Sequence, residues 1–263
     1  MLNIKDMYDP NRLFEKFEPA SVNARSWIAL VLSILALIGL IQQSDSVETT
    51  APETQSFYSA PSNLELVIAE TKKSLVTLIC GNGLGSGWVT DLDWSSVTNP
   101  EDIAIIKEYP SSVITNHHVV EDCIKDETLS MSAVLGATGL ERDYVIWDWN
   151  EENDLALVVV KAKLEPLVEA TEAPQGGWWT MAIGSPWKFN SSVSIGNLIS
   201  DDTSITNYDL ITSSLLNPGN SGGPLINSRG EVIGTNTWGV NSPERGFYNI
   251  ATSTEAICEL ITC

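Results

Sequence analysis

The chain has 263 residues, 43% of them hydrophobic and 18% charged, which suits one folded domain of about 200–250 residues or two small ones. Acidic residues outnumber basic ones 34 to 14, a formal net charge of −20. Such a surface repels nucleic acid and anionic lipid, which argues against a nucleic-acid partner, and it suits cationic partners, a salty medium or plain solubility.

In chain order, residues 1–25 are polar and mixed in charge, with Pro10 and Pro19, and read as an N-terminal segment on the cytoplasmic side. Trp27 to Ile41 follows as an apolar run; with Ser26 it makes a candidate transmembrane anchor over 26–41, shorter than the usual ~20 residues. Arg25 abuts its start and no Lys or Arg follows until Lys72, so the positive-inside rule places the remainder outside the cytoplasm, periplasmic or extracellular. The rival readings are a cleaved signal peptide, for which Gln42-Gln43-Ser44-Asp45 is a poor cleavage site, and a buried core helix. Residues 42–63, rich in Ser, Thr, Gln, Pro and acid, read as a flexible linker, and 64–263 as one domain.

Leu64–Lys73 reads as a short helix. From Ser74 on, short apolar segments alternate with Gly, Asn, Pro and Asp. The predicted strands are Leu75–Cys80, Ser86–Asp91, Ser112–Thr115, Met131–Leu135, Tyr144–Trp147, Leu155–Val160, Trp179–Ile183, Ser192–Ile199, Asp209–Thr212, Pro224–Asn227, Val232–Thr237 and Gly246–Ile250. Many short strands at this spacing mean an all-β barrel or sandwich, and Glu255–Leu260 reads as a terminal helix. The nine tryptophans read as packing or loop anchors, with a glycan-binding face as the sharper alternative. Cys80, Cys123, Cys258 and Cys263 allow three pairings and contain no C-x-x-C, which argues against zinc and redox motifs.

The most informative window is Asn217-Pro218-Gly219-Asn220-Ser221-Gly222-Gly223-Pro224-Leu225. Glycines let the main chain approach a ligand, and consecutive N–H groups in such a turn converge into an anion-binding nest. A hydroxyl beside such a nest is what acyl transfer needs, a nucleophile next to donors for the developing oxyanion; a tight turn with an idle serine is the plain alternative. A nucleophilic serine needs a base, and His117 and His118 are the two histidines of the chain. If Val113–Val120 stays extended, their side chains point to opposite faces, so at most one reaches Ser221 and the other lies at the surface. Asp154, at the mouth of the apolar run Leu155–Val160, is the candidate acceptor that orients the imidazole. No acidic residue stands at H-E-x-x-H spacing, so neither a metal nor another cofactor is expected.

The order His, Asp, Ser, with the serine in G-N-S-G-G-P-L, resembles the chymotrypsin-like serine proteases, and the local wording resembles their HtrA/Deg branch. The matching segments are Gly85-Ser86-Gly87-Trp88-Val89, Thr115-Asn116-His117-His118-Val119-Val120, Asp154-Leu155-Ala156-Leu157, Ala182-Ile183-Gly184-Ser185-Pro186, the serine window, and Gly246-Phe247-Tyr248-Asn249-Ile250-Ala251. The resemblance implies a double six-stranded β-barrel with the triad between barrels. By motif position, His118 is the general base, Asp154 orients it, Ser221 attacks the scissile carbonyl, and the backbone N–H groups of Gly219 and Ser221 form the oxyanion hole. It also places Leu215 at the floor of the primary pocket, with Leu216 and Thr235-Asn236-Thr237-Trp238 along its walls. No acid lies there, so small or medium apolar P1 residues are expected.

Further expectations come from the resemblance. Cys80–Cys123 is the first disulfide pairing, with Cys258–Cys263 as a small C-terminal loop. Polypeptides are the substrates, the membrane is met through the N-terminal helix, and relatives are often homotrimers. The resemblance covers the protease domain, and the C-terminal PDZ module of many relatives has no counterpart before Cys263. Thr212-Ser213-Ser214-Leu215 departs from the family's T-D-A-A, and Asp91 to Tyr109 reads as an insertion. The implied function is a serine endopeptidase acting through an acyl-enzyme, possible work in extracytoplasmic protein quality control included; the alternative is a catalytically silent binding or sensor domain.

Overall fold

The fold is that of a computed structural model, which describes Ser33 and residues 55–185, 191–201, 209–242 and 246–260. The expected span at 26–41 lies, apart from Ser33, outside the described residues. Among the described residues no helix is long and apolar enough to cross a membrane. The compact unit that carries the strands begins at Thr54. Within the stretch read as linker, residues 55–63 are seated on this unit: Phe57 is buried, stacks on Trp178 at 3.9 Å between ring centroids, and its carbonyl accepts the Trp179 N–H at 2.7 Å. The Ser228 hydroxyl adds a bond to the Ser56 carbonyl at 2.8 Å.

Helix α1 (Leu64–Lys73) has Glu65 in its first turn and Lys72 and Lys73 in its last, each charge set against the helix dipole. Four strands follow: β1 (Leu75–Cys80), β2 (Gly83–Thr90), β3 (Ser111–Thr115) and, after helices α2 (Pro100–Glu108) and α3 (His117–Lys125), β4 (Met131–Leu135). Then come β5 (Glu141–Arg142), β6 (Tyr144–Asn150) and β7 (Leu155–Val160). The insertion expected at 91–109 thus contains a helix. Asn99 caps it by accepting the Glu101 N–H, and Pro100 sits in its first turn, where its missing N–H costs nothing.

These strands form one antiparallel sheet in the order β5-β4-β1-β2-β3-β7-β6. The expected first six-stranded barrel is therefore an open seven-stranded sheet. The two edge strands, β5 and β6, are separated in sequence by Asp143 alone, so the sheet curls until its edges meet at one residue and no ladder seals them. Its interior packs Val76, Leu78, Val113, Val120, Ala156 and Val158.

The second unit is a closed six-stranded barrel, as expected. It comprises β8 (Trp179–Gly184), β9 (Ser192–Ser200), β10 (Asp209–Thr212), β11 (Pro224–Asn227), β12 (Val232–Ser242) and β13 (Gly246–Ser253), in the order β10-β13-β12-β11-β8-β9. The chain then runs through a 3₁₀ turn, Thr254–Ala256, into helix α4 (Ile257–Leu260). A core of Trp88, Ile114, Leu155 and Leu157 from the sheet and Met181, Ile226 and Val232 from the barrel joins the two halves.

Cys80 at the end of β1 is bonded to Cys123 in α3, 43 positions away, as the resemblance implied. Cys258 is also disulfide-bonded, and Cys263 lies outside the described residues. Replacing Cys80 and Cys123 together by alanine is expected to lower stability by about 2–4 kcal/mol, because the unfolded chain regains the entropy of a long open loop. Urea unfolding of the double variant checks this.

Candidate active site

Helix α3 begins at His117, directly after β3, with Asn116 at its N-cap. The side chain of Asn116 caps nothing; its Nδ2 donates instead to the Asp154 carbonyl at 2.8 Å. The orphan donors of the first helical turn are served from across the sheet: the His118 backbone N–H donates to Asp154 Oδ1 at 2.9 Å. The other carboxylate oxygen, Oδ2, lies 2.7 Å from His118 Nδ1. One carboxylate thus caps a helix and holds an imidazole, which fixes both the direction and the rotation of the ring. To reach this position Asp154 adopts φ +48°, a left-handed conformation that Asp tolerates better than most residues. The Glu151–Asp154 turn between β6 and β7 imposes it, with the Asp154 N–H donating to the Glu151 carbonyl.

The helix overturns one expectation. In an extended segment the histidine that does not serve Ser221 would lie at the surface, but His117 is buried and His118 is the exposed one, with 45% of its side chain accessible. Val119, Val120 and Cys123 anchor the buried face of α3, and the helical turn carries His118 away from that face.

Ser221 sits in the turn before β11, at the rim of the barrel. Two of its neighbours require left-handed backbone, Gly219 at φ +103° and Gly222 at φ +85°. The turn is tied down from both halves of the molecule. The Ser86 N–H donates to the Ser221 carbonyl at 2.7 Å, and Ser86 Oγ to the Gly219 carbonyl at 2.6 Å. From β12, the Asn236 carbonyl accepts the Gly222 N–H at 2.8 Å. Neither the Gly219 N–H nor the Ser221 N–H has an acceptor among the described residues. A Cβ added at Gly222 would lie 2.1 Å from the Ser86 carbonyl oxygen and 2.3 Å from Thr115 Oγ1. Gly222→Ala is expected to cost about 3–5 kcal/mol, overpacking added to a strained φ, read as a lower denaturant midpoint.

His118 and Ser221 line one cleft of ≈ 370 Å³, walled by Leu216, Pro218, Trp238 and Gly239. Ser221 Oγ donates to the Thr237 carbonyl at 2.9 Å and makes no hydrogen bond to His118. An imidazole held by a carboxylate, a hydroxyl in the same cleft and two unused N–H groups in one turn are the components of general-base-assisted acyl transfer.

The specificity residues expected from the resemblance divide. Leu216, Thr237 and Trp238 line the cleft. Leu215 does not: its side chain is 61% exposed and its N–H donates to Ser194 Oγ at 2.6 Å. The inward position is taken by Ser214, whose hydroxyl lies 2.9 Å from that of Thr180, itself 3.0 Å from that of Thr212, inside the barrel, and alternation along the chain turns Leu215 out. Thr235 and Asn236 are buried behind the cleft. Thr235 accepts the Trp88 indole N–H at 3.1 Å, and Asn236 Nδ2 donates to the Pro224 carbonyl at 3.0 Å. Sequence reasoning missed the roles of Ser86 and Asn116 in holding the turn and the Asp154 loop; both stand inside quoted motifs, where only their neighbours drew attention. Among the described residues no group of His, Cys, Asp and Glu is arranged to hold a metal.

Comparison with known proteins places these features. Residues 85–234 match the trypsin-like peptidase domain family. The chain is similar to a probable periplasmic serine endoprotease, DegP-like, of Chlamydia muridarum, 35% identical over 145 residues, covering 52% of this chain and 28% of that protein. It is also similar to the putative serine protease HhoB of Synechocystis, 33% identical over 141 residues, covering 48% and 31%. The chain spans less than a third of the length of these curated relatives. Among solved structures it resembles in fold the serine endoprotease from Yersinia pestis, at TM-score 0.59 and 20% identity over 76% of this chain and 66% of that one. It also resembles Deg5, at TM-score 0.57 and 24% identity over 74% and 90%.

Proposed function

The chain belongs to the trypsin-like peptidase family, and on that premise we propose that it is a serine endopeptidase in which Ser221 is the nucleophile, His118 its general base and Asp154 the residue that orients the base. The observation that carries this reading is the double hold of Asp154 on the backbone N–H and Nδ1 of His118, facing the cleft that contains Ser221.

Turning Ser221 Oγ about its χ1 from the Thr237 carbonyl toward His118 Nε2 readies it for attack. As Oγ bonds to the substrate carbonyl carbon, its proton passes to Nε2 and the imidazolium is stabilised by Asp154. The carbonyl oxygen takes up the negative charge, and the N–H groups of Gly219 and Ser221 receive it. Collapse of the tetrahedral species breaks the C–N bond, the amine leaves with the proton from Nε2, and water, activated by the same base, hydrolyses the acyl-enzyme. The Ser221–Thr237 hydrogen bond favours a second reading, a resting form in which Ser221 turns only when substrate or a partner is present. Fluorophosphonate labelling distinguishes these: prompt labelling of the isolated protein supports the first reading, labelling only with added peptide the second, and none from folded protein refutes both.

Leu216, Pro218 and Trp238 give the cleft apolar walls, and among the described residues no carboxylate lines it. The P1 preference is therefore for small or medium apolar side chains. Cleavage of a peptide library should show Val, Ala or Leu at P1; a profile dominated by Arg or Lys would overturn this. The relative named above as periplasmic, with the apolar stretch at 26–41, supports a peptidase domain outside the cytoplasm and anchored by that stretch.

A further inference from the structure

The segment between β2 and α2 builds a second cavity that shares no lining residue with the Ser221 cleft. Trp94 from this segment meets Trp147 of β6 edge to face, with ring centroids 4.8 Å apart and planes at 68°. The two indoles stand over Leu157 and Leu260, and the carboxylates of Asp93 and Asp148 complete a half-open space of ≈ 210 Å³. Trp94 is pinned by its Nε1–H, which donates to Ser112 Oγ at 3.2 Å.

Both carboxylates are set up as charged groups without a counter-ion. Asp93 accepts the Ser95 N–H at 2.8 Å and the Ser95 hydroxyl at 2.9 Å. These bonds, the backbone one first, hold its carboxyl below the usual range. Asp148 accepts the Trp149 N–H through Oδ1 at 2.8 Å, leaving Oδ2 for a ligand. Neither forms a salt bridge with a Lys, Arg or His among the described residues. Indole faces attract cations through their quadrupole, and two carboxylates beside them add direct charge attraction.

We propose that this cavity binds the ammonium or guanidinium head of a lysine or arginine side chain in a polypeptide, as a docking site separate from the Ser221 cleft. Its apolar floor takes the methylene stem while the head lies between an indole face and the carboxylates. The net charge of −20 draws such a ligand in at long range. A sugar would need several donors as well as acceptors, and with the Trp94 indole N–H engaged by Ser112 the lining side chains offer only the Ser96 hydroxyl and the Trp147 indole N–H beside the two carboxylates.

The test uses the full chain with Ser221→Ala, so that no peptide is consumed and the outcome does not depend on the proposed peptidase activity. The indole N–H resonances are followed by NMR while a short capped peptide with one central lysine and no aromatic residue is added. A peptide with glutamine in place of lysine and a chitin oligosaccharide serve as controls. Saturable shifts confined to the Trp94 and Trp147 resonances are expected with the lysine peptide, weakening as salt is raised. Asp148→Asn, nearly isosteric, should weaken binding about tenfold. Trp94→Phe preserves aromatic packing and assigns its resonance by loss of one signal. No saturable shift, equal shifts with the glutamine peptide, unchanged affinity in Asp148→Asn, or saturation by the oligosaccharide instead would each overturn the proposal.

Discussion

Replacing Ser221 by alanine is expected to lower kcat on a peptide substrate by about 10⁴–10⁶-fold and to abolish fluorophosphonate labelling, with KM almost unchanged. The change removes the proposed attacking atom and little that holds the fold. Ser221 contributes its backbone carbonyl to the Ser86 N–H, which alanine keeps, and its hydroxyl to the Thr237 carbonyl, which alanine loses. Loss of that one part-buried bond costs about 1 kcal/mol, so the variant stays folded. What activity remains measures positioning and the open N–H groups of Gly219 and residue 221. A variant that retains more than a few per cent of kcat would place the nucleophile elsewhere.

Asp154→Asn is expected to reduce kcat by about 10⁴-fold while leaving the fold intact. Asn tolerates φ +48° about as well as Asp, and its carbonyl oxygen still accepts the His118 backbone N–H, so the helix cap and the ring's place survive. The amide nitrogen then faces His118 Nδ1 in place of a carboxylate oxygen. That arrangement favours the tautomer with the proton on Nε2, which cannot accept one from Ser221. His118 is 45% and Asp154 28% exposed at the side chain, so loss of the carboxylate beside the ring changes stability by no more than about 1 kcal/mol. Steady-state kinetics and a urea titration on the same variant separate the two effects. Loss of stability in step with activity would make Asp154 structural.

Much of this protein was legible because its signals are local. Leu75–Cys80, Met131–Leu135, Leu155–Val160, Asp209–Thr212 and Pro224–Asn227 appear as strands with the ends their apolar runs suggest, since breakers bound each run. Gly219 and Gly222 announced left-handed backbone around Ser221, and the structure uses both. The two-residue strand Glu141–Arg142 left no trace in the pattern, because two charged residues show neither periodicity nor burial.

The sequence by itself determined the strand-rich class, the glycine turn, and the pairing of a histidine, an aspartate and a serine in order along the chain. The strand pattern and the turn depend on residues within a few positions of one another, and His118, Asp154 and Ser221 each stand in a local motif of their own. Tertiary structure alone decided the rest. Whether Asn116–Val120 is strand or helix turns on a cap supplied by Asp154, far along the chain, and that choice exposes His118 and buries His117. Ser214 claims the barrel interior through hydroxyls of Thr180 and Thr212, which sends Leu215 out of the pocket it was expected to floor. The first sheet stays open because its two edge strands are neighbours in sequence and meet at Asp143. The first two of these outcomes turn on distant partners, and a one-dimensional pattern carries no record of who stands opposite whom.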